Sequence, residues 1–136
     1  MQTAEDILRD GKTIAVVGLS PRSERDSHMV AKYLQEHGYH IIPVNPMVDE
    51  VLGEKSYPDL KAVPDRVDVV DVFRKAKDVL PIVDQAIDIG ASAVWMQLGI
   101  VNEEAAARAR EAGLGVVMDL CMLIERKRMV GEGKLQ

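Results

Sequence analysis

The amino-acid sequence predicts a three-layer α/β/α fold, with a five-stranded parallel sheet between two layers of helices. Five short apolar runs, rich in β-branched residues and bounded by turn formers, have the composition of buried parallel strands. Segments of helical periodicity separate these runs, as in consecutive βαβ units. The runs occupy residues 13–17, 40–44, 67–73, 91–96 and 115–118. The expected strand order is 3-2-1-4-5, in which the chain reverses across the sheet after the third strand.

Capping residues predict where the helices begin and end. Ser, Asp and Asn favour helix N-termini, and Gly favours the position that follows a helix. The sequence predicts helices from Ser27 to Gly38, from Asp78 to Gly90 and from Asn102 to Gly113, a last helix that begins at Asp119, and a short leading helix over residues 1–9. Residues 45–64 contain three prolines, so we expect an irregular excursion there, with at most a short helical turn.

The 136 residues have the length of one domain, and we expect residues 1–136 to form a single domain. Hydrophobic residues make up 47% and charged residues 29%, which excludes a disordered chain. The charged residues are 17 Lys and Arg against 22 Asp and Glu, a formal net charge of −5. Such a surface has no general attraction for nucleic acid or anionic membranes.

The cysteine content and the N-terminal sequence indicate the cellular compartment of the protein. Cys121 is the one cysteine, so an internal disulfide is excluded. No apolar run reaches the ~18 residues of a membrane span. Residues 1–10 are acidic and polar, unlike a secretory signal. We therefore expect a soluble, cytoplasmic protein.

Residues that suit a phosphate group follow the first predicted strand. Gly18 permits a tight turn, and Ser20, Arg22 and Arg25 place hydroxyl and guanidinium groups ahead of a helix N-terminus. In an open α/β sheet, ligands bind at the carboxyl ends of the strands, near the point where the strand order reverses. With the expected order, this point lies between the first and fourth strands.

The sequence excludes several common nucleotide-binding and phosphoacceptor motifs. The first loop reads GLSPRS, so it has neither G-x-G-x-x-G nor G-x-x-x-x-G-K-[ST]. The second predicted strand ends in Asn45-Pro46, where an NAD-binding domain has an acid for the adenine ribose. A phosphoacceptor receiver domain needs acids where Pro21 and Arg22 stand, although Asp71 is in roughly the right place for such a domain.

The sequence shows no arrangement that is typical of catalysis or metal binding. His28, His37 and His40 are too scattered for a metal-ligand pattern, and Ser20 lacks the G-x-S-x-G elbow of hydrolases. Adjacent acids such as Glu103-Glu104 are typical of helix N-termini. We therefore expect no catalytic residues and no metal site.

Blocks of sequence along most of the chain together resemble one protein family. The blocks are KTIAVVGLS, HMVAKYLQEHGYHIIPVNP, VDVVDVFR, AVWMQLGIVNEEAAARAREAGLGVV and MDLCMLIERKRM. From about residue 7 to residue 129, the chain is similar to the small stand-alone CoA-binding proteins of bacteria and archaea. These are Rossmann-like domains related to the CoA-binding domain of the succinyl-CoA synthetase alpha subunit.

The resemblance implies that the ligand is coenzyme A or an acyl-CoA, and it implies the residues that contact each part of it. Gly18, Leu19 and Ser20 would line the pyrophosphate, with Arg22 and Arg25 close to the phosphates. Asn45 and Pro46 would border the adenosine, Phe73 and Arg74 would flank the nucleotide, and Gln97 and Gly99 would border the pantetheine arm. Ser27 and Val44 complete the expected cofactor-binding residues. The chain departs from the family at Met47, where relatives often have a basic residue, and in its longer, more charged loop PRSERDS.

Three functional hypotheses follow. The first is a non-catalytic CoA-binding protein that acts as a carrier, a sensor or a redox-linked CoA partner, and is a monomer or a homodimer. The second is a component of an acyl-CoA synthetase or transferase, although the phosphohistidine loop and second domain of those synthetases are not in this chain. The third is a domain for NADP or another adenine nucleotide, since arginines can hold a 2′-phosphate.

Cys121 has two interpretations. A free cysteine is most often a buried, inert core residue. Its position near the carboxyl end of the fifth predicted strand places it instead on the edge along which the pantetheine arm would lie. On that interpretation, Cys121 is a thiol partner that can form a mixed disulfide with CoA.

Overall fold

The computed structural model of the chain describes residues 2–136. In chain order, the elements are α1 (Ala4–Asp10), β1 (Thr13–Val17), α2 (Asp26–Glu36), β2 (His40–Val44), β3 (Glu50–Val51), β4 (Glu54–Lys55), β5 (Val69–Val72), α3 (Val79–Asp88), β6 (Ala93–Met96), α4 (Glu103–Glu111), β7 (Gly115–Val117) and α5 (Met122–Gly131). Short 3₁₀ turns lie at Leu60–Ala62 and Ala76–Asp78. Within the described residues, no helix combines the length and the apolar character that a membrane crossing requires.

The predicted three-layer fold and five-stranded parallel sheet are confirmed. All four neighbouring strand pairs of the large sheet are parallel. The strands are buried on both faces, so the side chains of alternate residues pack into two separate cores. One core contains Ala15, Val70 and Met96 and is covered by α3 and α4, whereas the other contains Val16, Val69 and Trp95 and is covered by α1, α2 and α5.

The order of the strands differs from the prediction. The observed order is β2-β1-β5-β6-β7, which in terms of the five strands of this sheet is 2-1-3-4-5 rather than 3-2-1-4-5. The third strand, β5, pairs directly with β1, with Val16 opposite Asp71. The chain therefore reverses after the second strand, and the reversal point lies between β1 and β5.

Pro43 gives a physical reason for this order. Val44 directs its carbonyl oxygen to β1, where it accepts from Gly18 N–H at 2.9 Å, so Pro43 between Ile42 and Val44 faces the opposite side. Proline has no N–H for a ladder and is restricted to sheet edges. A third strand outside β2 would need that missing donor, so β2 is an edge strand.

The excursion over residues 45–64 folds back along that edge. It contains the β3–β4 hairpin and the first 3₁₀ turn. Tyr57 forms an isolated parallel bridge with Val44, because its N–H donates to Pro43 O at 3.1 Å and its carbonyl oxygen accepts from Asn45 N–H at 2.9 Å. The predicted irregular excursion is thus held against the sheet.

Several element boundaries also differ from the prediction. Asn102 caps α4 as predicted, with its side chain accepting from Ala105 N–H at 2.9 Å. Ser27 does not cap α2, because the helix begins one residue earlier with Arg25 at the N-cap position. Asp119 does not begin the last helix either: it has a φ of 61°, which is incompatible with a helix, and Cys121 precedes α5.

The remaining boundary differences are small. Asp78 occupies the predicted N-cap position of α3 but makes no capping hydrogen bond with its side chain. The leading helix starts at Ala4 behind a Thr3 cap, and Met1, which the prediction included, lies outside the described residues. The third and fourth strands begin two residues later than predicted, and the fifth ends one residue earlier.

Candidate functional site

Three adjoining clefts lie at the carboxyl edge of the sheet, on either side of the reversal point between β1 and β5. The polar cleft, of about 390 Å³, is lined by Gly18, Ser20, Arg25, Asp26, Ser27, Asn45, Phe73 and Arg74. The lateral cleft, of about 330 Å³, is lined by Val17, Val44, Pro46, Pro58, Asp59, Leu60, Arg74, Asp78, Ile82 and Gln85. The apolar cleft, of about 300 Å³, is lined by Asp26, Met29, Val30, Phe73, Gln97, Leu98, Ile100, Cys121, Leu123 and Ile124.

Shared residues connect the three clefts into one row. Arg74 lines both the lateral and the polar cleft. Phe73 and Asp26 line both the polar and the apolar cleft. The polar cleft therefore lies in the middle, and an elongated molecule that fills all three would place its charged part there.

Gly18 permits the tight turn at the centre of the polar cleft. Its φ is 90°, a left-handed conformation that favours glycine. A Cβ added there would collide with the carbonyl oxygen of Phe73. The loop after β1 and the loop after β5 thus approach each other closely because residue 18 has no side chain.

Local hydrogen bonds hold the Ser20 loop over the start of α2. Ser27 Oγ accepts from Ser20 N–H at 3.0 Å, and Ser20 Oγ accepts from Arg22 N–H at 3.1 Å. His28 Nδ1 lies 2.9 Å from Ser20 O, so it donates to that carbonyl. Both hydroxyl groups keep a proton to donate to a ligand.

Positive charge and unused backbone donors converge on the same cleft. No side chain caps α2, so the N–H groups of its first turn have no capping acceptor within residues 2–136. Arg25 and Arg74 line the cleft, and neither forms an ion pair with a described acid. Asp26 is the one carboxylate on its lining. This combination of an open helix N-terminus and two arginines is typical of phosphate sites.

Asn45 connects the polar cleft to the lateral cleft. Its Nδ2 donates to Leu19 O at 2.9 Å, and its Oδ1 accepts from Met47 N–H at 2.9 Å. The Asn45 side chain therefore connects the loop after β1 to the loop after β2. Pro46, the next residue, lines the lateral cleft.

Gln97 and Cys121 lie on the apolar cleft. Gln97 is almost fully buried, and its Oε1 accepts from Met122 N–H at 3.3 Å at the start of α5. Cys121 is half-buried, so neither of its sequence interpretations is excluded by burial alone.

Two loops form the wall of the apolar cleft and are tied to each other. Asp119 Oδ1 accepts from Gly99 N–H at 2.6 Å, and Trp95 Nε1 donates to Leu120 O at 2.7 Å. Asp119 adopts its left-handed backbone conformation at this point, which is strained for a residue with a Cβ. The wall is therefore fixed in position before any ligand arrives.

The structure brings most of the predicted site residues together at the three clefts, although not all of them line a cleft. Ser20, Arg25, Ser27, Phe73 and Arg74 line the polar cleft. The Leu19 side chain is completely buried, so only its backbone faces the loop. Three predicted residues do not line any of the three clefts: Leu19, Gly99 and Arg22, of which Arg22 points to Glu24 with Nε 3.0 Å from the carboxylate.

Sequence reasoning missed the apolar residues around Gln97. Met29, Leu98 and Ile124 line the apolar cleft and are more than half exposed, at 51%, 63% and 54%. The sequence contained a signal for this cleft, because Met29 and Ile124 are large apolar residues at helix positions outside the buried faces of their helices.

Asp71 lies beside this region but does not line a cleft. It is fully buried in the middle of the sheet between Val16 and Trp95, and neither carboxylate oxygen has a hydrogen-bond partner. Burial raises the pKa of Asp71 well above its usual range. Within the part of the chain that the structure describes, no three His, Cys, Asp or Glu side chains are grouped to hold a metal ion.

The fold and these clefts define a Rossmann-like domain whose clefts lie at the reversal point of a parallel sheet, where ligands bind in such folds. Residues 12–127 match the family model of the CoA binding domain, so the chain belongs to the CoA-binding domain family. The resemblance inferred from the sequence is thereby confirmed.

Comparisons with individual proteins agree with this membership. The chain is 45% identical over 120 residues to the uncharacterized protein YneT of Bacillus subtilis (strain 168), covering 88% of this chain and 89% of that one. A hypothetical protein from Pyrococcus horikoshii OT3 superposes with a TM-score of 0.91 at 49% identity, covering 96% of this chain and 94% of that one. The dinucleotide forming acetyl-coenzyme A synthetase 1 of Ca. Korarchaeum cryptofilum superposes with a TM-score of 0.70 at 28% identity, covering 82% of this chain but 27% of the synthetase.

Proposed function

We propose that the protein binds coenzyme A or an acyl-CoA without transforming it, as a carrier, sensor or redox-linked partner of CoA. The row of three connected clefts, with the charged one in the middle, is the observation that carries this proposal. CoA has the same order of parts, since its pyrophosphate lies between the adenosine and the pantetheine arm.

Each part of CoA has a cleft of matching chemistry. The pyrophosphate is assigned to the N-terminus of α2, with Ser20, Ser27 and Arg25 as donors. The adenosine is assigned to the lateral cleft beside Pro46, and Arg74, which borders both clefts, is assigned to the phosphates between them. The pantetheine arm is assigned to the apolar cleft, past Phe73 toward Gln97.

Isothermal titration calorimetry with a matched pair of arginine variants tests the assignment. Arg25→Ala removes a cation from the polar cleft, and we expect CoA affinity to fall roughly ten- to hundredfold, as for a lost hydrogen bond to a charged group. Arg22→Ala in the same loop removes an exposed cation that already faces Glu24, and should change affinity less than threefold. Equal effects of the two variants would contradict the proposed phosphate position.

NADPH competition separates this proposal from a dinucleotide-binding role. The first loop reads GLSPRS and lacks the G-x-G-x-x-G by which dinucleotide-binding domains hold the pyrophosphate, and the Asn45 side chain already bonds to Leu19 and Met47. We expect NADPH to compete with CoA only weakly. Equal affinities for the two would favour the dinucleotide role instead.

The similarity to an acetyl-coenzyme A synthetase favours a second candidate, a CoA-binding component of an acyl-CoA synthetase. This candidate requires further chains, because the match covers 27% of that synthetase. Purified protein incubated with acetyl-CoA, ADP and phosphate should form no ATP if it acts alone as a binding protein. ATP formation would replace the non-catalytic proposal.

The redox-linked form of the proposal depends on Cys121. Cys121 lines the apolar cleft, into which the thiol end of the arm is assigned. With CoA disulfide, the Cys121 thiolate would attack one sulfur, form Cys121–S–S–CoA and release one CoA thiolate. Intact mass spectrometry should show one CoA adduct that dithiothreitol reverses and that Cys121→Ser lacks; a folded protein whose thiol gains no adduct would leave Cys121 as a packing residue.

A further inference from the structure

The apolar cleft exposes more hydrophobic surface than the fold needs. Among residues 2–136, six large hydrophobic side chains are exposed, and three of them, Met29, Leu98 and Ile124, line this one cleft. They come from α2, from the loop after β6 and from α5. Exposed apolar side chains gathered around a concavity from separate elements mark a binding site rather than scattered surface residues.

Gln97 adds an unused hydrogen-bond donor to the same cleft. The residue is only 3% exposed, and the Met122 N–H fixes which end of its amide is oxygen. The other end, Nε2, finds no acceptor in residues 2–136, yet it is not among the fully enclosed polar atoms. Nε2 therefore reaches the surface of the cleft, and a ligand that covers it is expected to bring an oxygen acceptor, since a donor enclosed without a partner is costly.

We propose that this cleft binds the acyl group of an acyl-CoA thioester, with Gln97 Nε2 donating to an oxygen at the acyl end of the ligand. The inference rests on the proposed CoA binding, because Phe73 and Asp26 connect the apolar cleft directly to the polar cleft assigned to the phosphates. Free CoA ends in a thiol and would leave part of the apolar wall in water. A short acyl chain covers that wall.

The size of the cleft limits the acyl group. Its volume of about 300 Å³ is at the lower end for small-molecule sites. The end of the pantetheine arm takes part of this space, so the remaining room suits a chain of a few carbons. Each methylene transferred from water to the apolar wall should strengthen binding about fourfold.

Calorimetric titration of CoA, acetyl-CoA and butyryl-CoA against the wild-type protein tests the inference. We expect affinity to rise from CoA to butyryl-CoA, with butyryl-CoA binding on the order of tenfold more tightly than acetyl-CoA. Equal affinities for the three ligands would overturn the acyl site and leave CoA binding intact. If none of them bound, the proposed function itself would fail together with the inference.

A pair of variants in one loop tests whether the gain in affinity from the acyl chain arises in the apolar cleft. Leu98 and Val101 are both exposed and lie in the same loop, but only Leu98 lines the cleft. Leu98→Asn should reduce the ratio of butyryl-CoA to CoA affinity at least threefold, whereas Val101→Asn should leave that ratio unchanged. A ratio that responds equally to both variants would contradict the site.

A variant of Gln97 tests the donor separately. Gln97→Glu keeps an oxygen for the Met122 N–H and replaces the donor by a second carboxylate oxygen with a negative charge, so the ratio of acyl-CoA to CoA affinity should fall. Binding of free CoA by this variant shows that it is folded, and circular dichroism checks the fold if CoA binding is also lost. Gln97→Met, of similar length and uncharged, is the second variant. An unchanged affinity ratio in both folded variants would remove Gln97 from the acyl site.

Discussion

Gly18 and Gly38 have the same backbone conformation in different surroundings. Their φ values are 90° and 92°, so an alanine at either position is strained by about 1–2 kcal/mol. An added Cβ at Gly38 meets nothing within 4 Å, whereas at Gly18 it meets the Phe73 carbonyl oxygen. Gly38→Ala therefore reports conformational strain alone, and Gly18→Ala reports strain together with the close approach of two loops.

We expect Gly18→Ala to lower the free energy of unfolding by about 1–3 kcal/mol more than Gly38→Ala, the usual cost of overpacking. Urea denaturation of the two variants and the wild type measures the difference. CoA affinity should fall only in Gly18→Ala, because only that change displaces the Phe73 loop. Equal stabilities of the two variants would show that the β1 loop moves aside at no cost.

Asp71 makes stability depend on pH. Its carboxyl group has a raised pKa in the folded protein because it is buried, whereas in the unfolded chain it ionises at an ordinary pKa of about 3.9. Its contribution is thus fully present below that pH and is lost as the pH rises toward the folded-state pKa. The expected slope is up to about 1.4 kcal/mol per pH unit.

Asp71→Asn removes this ionisation and should flatten the decline in stability between pH 4 and neutral pH. Chemical denaturation across that range, compared with wild type, measures the change in slope. Asp65→Asn, at an exposed position, is the control and should retain the wild-type slope. A decline that persists unchanged in Asp71→Asn would place the responsible group elsewhere.

At the scale of the elements, the loops that follow β6 and β7 form one unit. Asp119 carries both the left-handed backbone conformation and the side-chain acceptor for Gly99 N–H. Asn tolerates this conformation and keeps an oxygen acceptor, whereas Ala does neither. The two substitutions therefore separate the role of the negative charge from the role of the geometry.

Asp119→Asn should change the free energy of unfolding by less than about 0.5 kcal/mol, and Asp119→Ala should lower it by about 1–3 kcal/mol through backbone strain and a lost hydrogen bond. Hydrogen exchange of the Gly99 amide should accelerate only in Asp119→Ala. If the exchange is also fast in Asp119→Asn, the charge on residue 119 holds the loops together.

Much of the fold could be predicted from hydropathy because the strands are buried on both faces and read as continuous apolar runs. The predicted strand order is wrong because hydropathy does not distinguish an edge strand from a central one, whereas Pro43 marks β2 as an edge strand. The helix start at Ser27 was wrong because that hydroxyl bonds to the Ser20 loop instead of to its own helix.

The candidate site was predictable to different degrees. The loop after β1 could be identified from Gly18 and its polar neighbours, since these residues are adjacent in sequence. The apolar cleft could not, because Met29, Leu98 and Ile124 are far apart in sequence and meet only where α2 and α5 pack beside each other on one face of the sheet.

At the scale of the whole molecule, a ligand that binds only the folded protein stabilises it. With free CoA at a hundred times its dissociation constant, the folded state gains about 2.7 kcal/mol. For a domain of this length, the melting temperature should rise on the order of 10 °C. Differential scanning fluorimetry measures this shift, which Arg25→Ala should reduce at the same CoA concentration; an unchanged melting temperature in saturating CoA would contradict binding to the native fold.

The return of residue 57 to the sheet edge has a consequence for how copies of this chain meet. An open strand edge invites another chain to add a strand, which is a common route to aggregation. Here Tyr57 occupies the outward carbonyl of Pro43 and the N–H of Asn45, and the Pro43 nitrogen on the same side carries no hydrogen to donate. The opposite edge is β7, which spans only Gly115–Val117 and gives a poor template. Self-association by strand addition is therefore blocked at β2 and weakly supported at β7, and a stable assembly of this protein would have to form through its helices.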